Sequence, residues 1–436
     1  MIFKRMREHI LGKAIRGKLV PQLHEEGYVK QICNAPTNVP FAIPSTWKWC
    51  SLGNLVDYGK AEKISCNDIP SSTWVLELED IEENTGKILE KKRDVEVKSN
   101  KNVFEEGYLL YSKLRPYLNK VVIADECGVC TTELIPINVK SAKAPLLPKY
   151  LQFFLMSPDF VDYANRHSHG AKPRLGTNDA KAANIPIPPF EEQNRIVAKI
   201  ESLFGEIDRA EEAYEELQSL ANVLRCQILQ KAIQGKLVPQ LPDDGVVEQI
   251  GDLPAELPFE IPDSWKWGLL ENYVTINPSA SKLDDNTEVS FLPMASVHPG
   301  FVNNFDREES KLWANAKKGF SKFANGDVLI AKISPCFENR KSCIVRDLIN
   351  GFGAGSTELI TMRPTDLIYA EYLLWYVKTK YVIDYCSSTF KGTVGQQRIN
   401  PDRYKSMPIP VPPLAEQKRI VAKIETLLEQ VDLMTK

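Results

Sequence analysis

The longest regular pattern in the chain is a series of apolar residues that alternates by four and three positions after Pro188 and Pro189. Charged runs such as EEAYEEL occupy the positions between them. This spacing predicts a long amphipathic helix with a coiled-coil seam. The prolines and the two glutamates that follow them are typical of a helix start. The seam comprises Ile196, Ile200, Leu203, Ile207, Ala210, Tyr214, Leu217, Ala221, Leu224 and Ile228.

Both chain ends carry shorter stretches with the same alternation. The C-terminal stretch contains Ile420, Ile424, Leu427, Val431 and Met434, and the N-terminal stretch contains Phe3, Met6 and Ile10. An apolar seam needs a partner that covers it. We therefore predict that the two terminal helices pack antiparallel against the central helix.

The remaining sequence mixes strand and helix patterns. VVIA, ELIPINV, DVLIAKI and ELITM are rich in β-branched residues and predict strands. Two aromatic-rich runs, KYLQFFLMSPDFVDYANR and YAEYLLWYVKTKYVIDYC, follow them with helical spacing. That spacing favours a buried core position for the aromatic side chains over an exposed stacking platform.

Three blocks of sequence occur twice. They are KAIRGKLVPQL and KAIQGKLVPQL (from Lys13 and Lys231), PFAIPSTWKW and PFEIPDSWKW (from Pro40 and Pro258), and IPPFEEQNRIVAKIESLF and VPPLAEQKRIVAKIETLL (from Ile187 and Val411). Between the blocks the two copies diverge, with short echoes such as TTELIPI and STELITM. We interpret the chain as a tandem duplication in which one fold serves two different ligands.

Together these patterns predict a mixed α/β (α+β) chain with pseudo-twofold symmetry. Two similar globular domains are separated by long antiparallel coiled-coil helices. The predicted segments are an N-terminal helix at 1–20, a first globular domain at 21–189, a central helix at 190–236, a second globular domain at 237–411 and a C-terminal helix at 412–436.

Composition limits the functions that the chain can serve. Of its 436 residues, 43% are hydrophobic and 25% are charged, as in a soluble globular protein. The net charge is −3, so any nucleic-acid contact must come from local basic patches or from partner proteins. Nine scattered cysteines favour a reducing compartment, and no apolar run is long enough to span a membrane. We expect a cytoplasmic protein.

The first repeated block imitates a phosphate-binding loop. With Gly12 it reads G-x-x-x-x-G-K, but Leu19 stands where a Ser or Thr must contact Mg²⁺. The second copy has Gln230 in place of the first glycine. We instead predict that Gly17 and Gly235 end helices in the left-handed conformation.

No set of catalytic residues emerges from the sequence. CGVC at Cys127 has the spacing of a metal or redox pair but lacks a second pair, and HSHG at His167 is equally isolated. NIPIPPF at Asn184 only imitates the Asn/Asp-Pro-Pro-aromatic motif of adenine methyltransferases. We predict free thiols, no metal site, no cofactor and no catalysis.

Basic and polar residues gather in corresponding loops of the two copies. Arg and Lys bind phosphates or read guanine, and Gln reads adenine. A solvated surface loop is the alternative for each single residue. The candidate DNA contacts are Lys113, Arg115, Lys120, Thr131, Lys172 and Arg174 in the first copy, and Lys332, Arg340, Lys341, Ser356, Lys391, Gln396, Gln397 and Arg398 in the second.

The frames PxxWxWxxL, STELI, PIPPxxEQxRIVAKIE and KAIxGKLVPQ resemble those of specificity subunits of type I restriction–modification systems. The resemblance covers essentially the whole chain. It implies two target-recognition domains that each read half of an asymmetric bipartite DNA site. It also implies that the helices bind two modification subunits, which methylate adenine, and that restriction/translocase subunits complete the complex. S-adenosylmethionine, ATP and Mg²⁺ would then be held only by those partners, and the chain itself would be non-catalytic.

Two other interpretations stay open at this point. The chain could be an adaptor with two protein-binding heads on a coiled-coil spacer, which would bind without steep salt dependence. It could also be an enzyme that uses CGVC or the histidines, which would retain a metal or lose activity when Cys127 is replaced.

Overall fold

In the computed structural model the chain divides into two compact units, unit 1 (Met1–Ala213) and unit 2 (Tyr214–Lys436). The structure describes residues 2–30, 36, 39–254, 257–279, 282–307, 309–388, 390 and 397–435. Within them, no helix combines the length and the apolar character needed to cross a membrane.

Unit 1 combines short sheets with helices. Its helices are α1 (Ile2–Ile15), α2 (Leu52–Leu55), α3 (Pro148–Met156), α4 (Pro158–Arg166), α5 (Thr177–Ala182) and α6 (Phe190–Ile233), which ends in unit 2. Its strands are β1 (Lys48–Ser51), β2 (Lys63–Ile64), β3 (Trp74–Leu76), β4 (Lys101–Phe104), β5 (Leu109–Ser112), β6 (Val121–Ile123), β7 (Gly128–Cys130), β8 (Leu134–Ile137), β9 (Ser168–His169), β10 (Arg174–Leu175) and β11 (Asn184–Ile187). They form sheets in the orders β2-β4-β7-β3, β6-β5-β8, β1-β11 and β9-β10.

Unit 2 repeats this plan with different lengths. Its helices are α7 (Trp313–Ala316), α8 (Ala370–Val377), α9 (Lys380–Ser387), α10 (Pro401–Lys405) and α11 (Leu414–Met434). Its strands are β12 (Lys266–Leu269), β13 (Val274–Ile276), β14 (Glu288–Leu292), β15 (Ser310–Leu312), β16 (Ser321–Ala324), β17 (Val328–Ala331), β18 (Ser342–Ile344), β19 (Phe352–Gly355), β20 (Leu359–Pro364) and β21 (Pro408–Val411). The sheets have the orders β15-β14-β19-β16, β13-β20-β17-β18 and β12-β21.

The same strand pairings occur in both units. The parallel pair β3–β7 and its antiparallel neighbour β4 correspond to β14–β19 and β16. The antiparallel set β6-β5-β8 corresponds to β18-β17-β20. The mixed α/β class and the tandem duplication predicted from the sequence are therefore confirmed, and the predicted strands lie in β6, β8, β17 and β20.

The aromatic-rich runs form core helices. In unit 1 the run is split at Pro158 into α3 and α4, whose Phe153, Phe154 and Phe160 are buried. In unit 2, Tyr372 and Tyr376 of α8 are fully buried. The prediction that these aromatics belong to the core is confirmed.

A buried carboxylate joins each unit to its long helix. In unit 1, Glu192 at the start of α6 accepts hydrogen bonds from Trp47 Nε1 (2.9 Å) and Gln22 Nε2 (2.6 Å). In unit 2, Glu416 at the start of α11 accepts the same bonds from Trp265 (2.9 Å) and Gln240 (2.8 Å). The Trp, the Gln and the Glu come from three different repeated blocks, so their reappearance in both copies reflects one shared junction.

Each terminal helix lies antiparallel to α6 within its own unit. In unit 1, Arg7 of α1 donates to Asp208 (2.6 Å) and Glu211 (2.8 Å) of α6. In unit 2, Arg225 of α6 donates to Asp432 of α11 (2.6 Å). The predicted pairing of the terminal helices with the central helix is confirmed within each unit.

The predicted apolar seam is only partly correct. Its buried members are Ile196, Ile200, Ile207, Ala221, Ile228, Ile420, Ile424 and Val431, and Leu203 and Leu427 are half-buried. Leu217 and Leu224 are instead 38% and 40% exposed. In unit 2 the side of α6 that contributes to the interface carries Gln218, Ala221, Arg225 and Ile228. Ala221 and Ile228 belong to the predicted series, but Gln218 and Arg225 take the places expected for Leu217 and Leu224, which are turned toward solvent.

The glycines of the first repeated block end helices, as predicted. Gly17 and Gly235 have φ of +67° and +68°, and Lys18 N and Lys236 N donate to Lys13 O and Lys231 O. This is the bonding pattern of a Schellman helix end. The interpretation of the block as a phosphate loop is therefore excluded by its geometry.

Gly235→Ala is expected to destabilise unit 2 by about 2–5 kcal/mol, because the left-handed conformation and overpacking both oppose the methyl group. A Cβ at this position would lie 2.4 Å from Pro262 Cγ. Gly245 has positive φ (+76°) with an extended ψ (−167°), a region open almost only to glycine, and has open space around its Cα, so Gly245→Ala should lose about 1–3 kcal/mol from backbone strain alone. Urea unfolding followed by amide hydrogen exchange in unit 2 measures both losses. Equal losses would contradict the proposed clash with Pro262.

Candidate nucleic-acid interface

In unit 1, three chain segments meet beyond the end of β5. Lys113 N donates to Glu133 O (3.0 Å), and Lys113 O accepts from Leu175 N (2.9 Å). The residue after β5 is thus held between the turn that leads into β8 and the strand β10. Lys113 is half-buried, whereas Arg174 of β10 is exposed.

Unit 2 contains the same arrangement beyond β17. Lys332 N donates to Glu358 O (2.9 Å), and Lys332 O accepts from Ile399 N (3.0 Å). Arg398 precedes Ile399 and is exposed. The position of Lys332 between two flanking segments therefore matches that of Lys113.

An arginine pairs with a glutamate in each arrangement. Arg174 Nε lies 3.1–3.2 Å from both carboxylate oxygens of Glu133. Arg398 Nε lies 3.0–3.1 Å from those of Glu358, and its second nitrogen donates to Glu358 Oε1 at 2.8 Å. We call Lys113, Glu133 and Arg174 the first basic edge, and Lys332, Glu358 and Arg398 the second basic edge.

These ion pairs orient the arginines more than they stabilise the fold. The side chains of Arg174 and Arg398 are 47% and 51% exposed, and surface ion pairs of this kind contribute little to stability. Hydrogen bonds that the arginines donate to the glutamates also raise the pKa of both guanidinium groups, which therefore stay charged. Each edge presents a fixed, permanently charged donor toward solvent.

Arg115 and Lys172 lie beside the first basic edge. Arg115 has a left-handed backbone (φ +49°), and its N–H donates to Pro173 O (2.8 Å). Both cationic side chains are exposed. The structure therefore brings Lys113, Arg115, Lys172 and Arg174 together, as the sequence predicts.

Thr131 and Ser356 begin the turns that carry the two glutamates. Thr131 N donates to Leu76 O (3.1 Å), and Ser356 N donates to Leu292 O (3.0 Å). Both side chains are half-buried. These candidates lie next to the basic edges, at the carboxyl ends of β7 and β19.

Two predicted contacts have a structural partner inside their own unit. Lys120 Nζ donates to Leu78 O (2.8 Å), and Lys341 Nζ donates to Met294 O (3.1 Å). The lysines directly precede β6 and β18, and both are half-buried. Each lysine holds the short helical turn that follows the first strand of the parallel pair, so part of its donor capacity is already in use.

Arg340, a predicted DNA contact, points toward the interior of its unit. Its Nε donates to Lys378 O (3.0 Å) at the end of α8, and its guanidinium lies 4.6 Å from the centre of the Phe301 ring. Its positive φ (+58°) accompanies this inward direction, and a helix C-terminus favours a cation. Lys378 is itself buried and donates to Arg340 O (2.8 Å), and burial lowers the pKa of its ammonium to about 7.

The remaining candidates of unit 2 lie in the segment before β21. Lys391 and Gln396 fall outside the described residues. Gln397 is half-buried, and its carbonyl oxygen accepts from Ser334 N (2.8 Å). This bond joins the segment to the loop between β17 and β18, next to the second basic edge.

Sequence reasoning missed the roles of Glu133 and Glu358. The sequence did contain a signal for these roles, because TTEL and STEL are among the few short motifs that both copies retain between the repeated blocks. Each glutamate provides the backbone carbonyl for the lysine and the carboxylate for the arginine. A retained acidic residue among divergent basic loops indicates a residue that orients those cations.

The two cysteines of CGVC lie in different environments. Cys127 is exposed and Cys130 is buried in β7, where burial raises the pKa of its thiol to about 12. The described part of the chain holds no group of three or more His, Cys, Asp or Glu side chains that could bind a metal ion. The sequence favours buried free thiols at both positions, which is correct for Cys130 and wrong for Cys127.

Comparison with known proteins identifies the family. The model of the type I restriction modification DNA specificity domain matches residues 44–219 and 273–436, more than half of the chain. The specificity subunit of the EcoAI type I restriction enzyme from Escherichia coli is 39% identical over 234 residues, which cover 48% of this chain and 40% of that protein. The EcoDI subunit from the same species is 32% identical over 253 residues, 55% of each chain. The chain thus spans about half the length of the curated relatives that it matches.

Solved structures share the fold. A chain from a study of complex assembly and conformational transition of the type I R-M system superimposes with a TM-score of 0.69 at 21% identity, over 91% of this chain and 93% of that chain. The HsdS subunit from Thermoanaerobacter tengcongensis gives a TM-score of 0.54 at 20% identity, over 92% and 93%. The two domain matches fall on the two copies of the duplication. The chain belongs to the family of type I restriction–modification DNA specificity proteins.

Proposed function

We propose that each unit reads one half of an asymmetric bipartite site in double-stranded DNA. The observation that carries the proposal is that both units hold the same Lys–Glu–Arg edge on loops whose sequences otherwise differ. Arginines that anchor phosphates set the position of a protein on the duplex, and the neighbouring side chains specify bases. A shared anchor with different neighbours therefore suits two half-sites of different sequence.

The net charge of −3 requires that DNA is held locally. The basic edges, with Arg115 and Lys172, supply that local charge in a chain without overall positive charge. Phosphate contacts dominate the affinity of most DNA-binding proteins. We infer that partner subunits contribute much of the remaining cationic surface.

We further propose that α1, α6 and α11 dock two modification subunits. The Trp–Glu–Gln junctions would hold each unit at a defined orientation on its helix, so that docked partners meet the DNA that the units read. The chain would be non-catalytic, with adenine methylation and S-adenosylmethionine on the modification subunits. Restriction/translocase subunits, with ATP and Mg²⁺, would complete the complex.

Methylation mapping tests the proposed function. Cells that express the chain with its modification subunit are expected to carry methylated adenines in a split, asymmetric sequence motif. Exchange of residues 21–189 for those of a relative should then change one half of the motif only. Unmodified DNA despite a competent partner would contradict DNA recognition, and a change in both halves or in neither would contradict the assignment of one half-site to each unit.

A further inference from the structure

The two units differ in chemistry at one shared position, the carboxyl ends of their parallel strands. In unit 1, Leu76 pairs with Cys130, so Glu77 and Thr131 follow β3 and β7 at the same end of the sheet. Lys101 opens β4 beside them, because Asn102 pairs with Cys130. Parallel strands thus bring a carboxylate, an ammonium and a hydroxyl group together.

These residues line a cleft of about 390 Å³, here called the strand-end cleft. The side chain of Lys101 is only 7% exposed, and its ammonium donates to Glu77, which is 36% exposed. Glu77 N donates to Asp80 Oδ2 (2.8 Å), which holds the backbone of the glutamate. Burying an ammonium is costly, and such a pair is weak support for stability. The pair does, however, hold a carboxylate at a fixed place in an open cleft.

Unit 2 lacks this ion pair at the matching strand ends. Leu292 pairs with Gly355, and the residues that correspond to Glu77 and Lys101 are Pro293 and Phe320. Lys311 Nζ lies 4.8 Å from the centre of the Phe320 ring. The same frame therefore presents a carboxylate in unit 1, whereas in unit 2 it presents a proline and an aromatic ring with an ammonium group over it.

The strand-end cleft adjoins the first basic edge. Thr131 lines the cleft and begins the turn that ends at Glu133, the partner of Arg174. Leu134 N donates to Thr131 O (3.0 Å), which closes this turn. If Arg174 binds the phosphate backbone, the strand-end cleft would consequently face the edges of nearby bases.

We propose that Glu77 reads an exocyclic amino group, adenine N6 or cytosine N4, in the half-site bound by unit 1, and that Lys101 positions it. The inference rests on the proposed function. A carboxylate accepts hydrogen bonds only, and Lys101 occupies one of its several acceptor sites. At the same place in the major groove, guanine and thymine present oxygen acceptors, which a carboxylate repels. Unit 2 makes no such selection there.

Glu77→Gln tests the inference in the full chain assembled with its modification subunits. Selection from a duplex library randomised over both half-sites measures the preference at each base pair. The variant is expected to lose about 5- to 150-fold discrimination at one base pair of one half-site, because an amide both donates and accepts. The identity of that base pair in the wild type, A·T or C·G, distinguishes the two amines. The other half-site and the salt dependence should stay unchanged.

Glu126→Gln is the matched control. Glu126 is 33% exposed and paired with Arg93, but it precedes β7 and so lies at the opposite end of the strand. Its replacement should leave every base preference intact. Lys101→Met should weaken the base preference at the same base pair as Glu77→Gln does. Lys101→Arg, which keeps the cation, should retain that preference.

Two results would overturn the inference while leaving the proposed function intact. One is a wild-type bipartite motif that Glu77→Gln leaves unchanged, and the other is a loss of affinity that is uniform over all sequences. A wild-type complex that selects no bipartite motif would instead refute the proposed function, and the inference with it.

Discussion

Glu192→Ala is expected to destabilise unit 1 by about 3–5 kcal/mol, because it removes the acceptor of two hydrogen bonds at a buried junction. Glu192 is 1% exposed and Trp47 is 2% exposed, so the indole N–H would lose its partner without gaining water. Gln22 would lose its bond as well. Glu416→Ala should have an effect of the same size on unit 2, where Trp265 and Gln240 depend on it.

The glutamine variants should destabilise the two junctions to different extents. A glutamine at position 192 keeps one oxygen for Trp47 and turns an amide N–H₂ toward Gln22, which can rotate to present its oxygen. Thr46 Oγ1 now donates to Gln22 Oε1 (3.1 Å), and after the rotation it can accept from Gln22 Nε2, so this contact is kept. Gln240 also donates to Gly235 O (3.0 Å), so the same rotation in unit 2 breaks a helix-end contact. We expect Glu416→Gln to destabilise its unit more than Glu192→Gln does.

The glutamine variant of unit 1 should also change the pH dependence of stability. Burial raises the pKa of Glu192, so the folded chain holds this proton more tightly than the unfolded chain. The resulting stabilisation is complete below the unfolded pKa of about 4.3 and is lost as the pH rises through the higher folded pKa. The Glu192→Gln variant has no such titrating group. The difference in free energy of unfolding between the wild type and this variant should therefore shrink as the pH rises.

Amide hydrogen exchange in each unit during urea unfolding measures these losses without assuming that the chain unfolds in one step. Glu191→Ala is the control, because Glu191 is exposed in the same first turn of α6. Its counterpart in α11 is already alanine, Ala415. Equal losses for Glu191→Ala and Glu192→Ala would mean that the helix dipole is responsible, and not the buried junction.

The repeated blocks were informative because their structural roles depend on neighbouring residues in the sequence and because each block occurs in both copies. A glycine after a helical run, followed by proline, predicts a helix end from short-range chemistry alone, and Gly17 and Gly235 have the expected backbone. The alternation of apolar residues likewise predicted which helices pair. The replacement of Leu217 and Leu224 by Gln218 and Arg225 in the interface could not be predicted, since Arg225 bonds to Asp432 at the far end of the chain.

The candidate interface was predictable in outline but not in orientation. Exposed Arg174 and Arg398 followed from basic loops at matching positions. The inward direction of Arg340 depends on the carbonyl that ends α8, a tertiary partner 38 residues away. The roles of Glu133 and Glu358 required knowledge of which turn lies beside which strand, and an apolar–polar pattern carries no such information.

Arg398→Glu is expected to weaken DNA binding by about 100-fold, because it removes a charge-assisted contact and places a carboxylate near a phosphate. The loss should be uniform over sequences, and the slope of log affinity against log salt should fall by about one. Arg174→Glu should act in the same way through unit 1. Anisotropy titrations of the complex with a duplex that carries both half-sites, over a range of salt concentrations, measure affinity and slope together.

The double exchange Arg398→Glu with Glu358→Arg tests whether Arg398 contacts DNA directly or only holds Glu358 in place. It restores an ion pair within unit 2 but moves the cation from the segment before α10 to the turn before β20. If Arg398 served only to hold Glu358, the exchanged pair would hold the two segments together and binding would recover. We expect no recovery, because a phosphate contact depends on where the guanidinium lies and not only on its presence. Full recovery of both affinity and salt slope would therefore show that the second basic edge supports the fold without touching DNA.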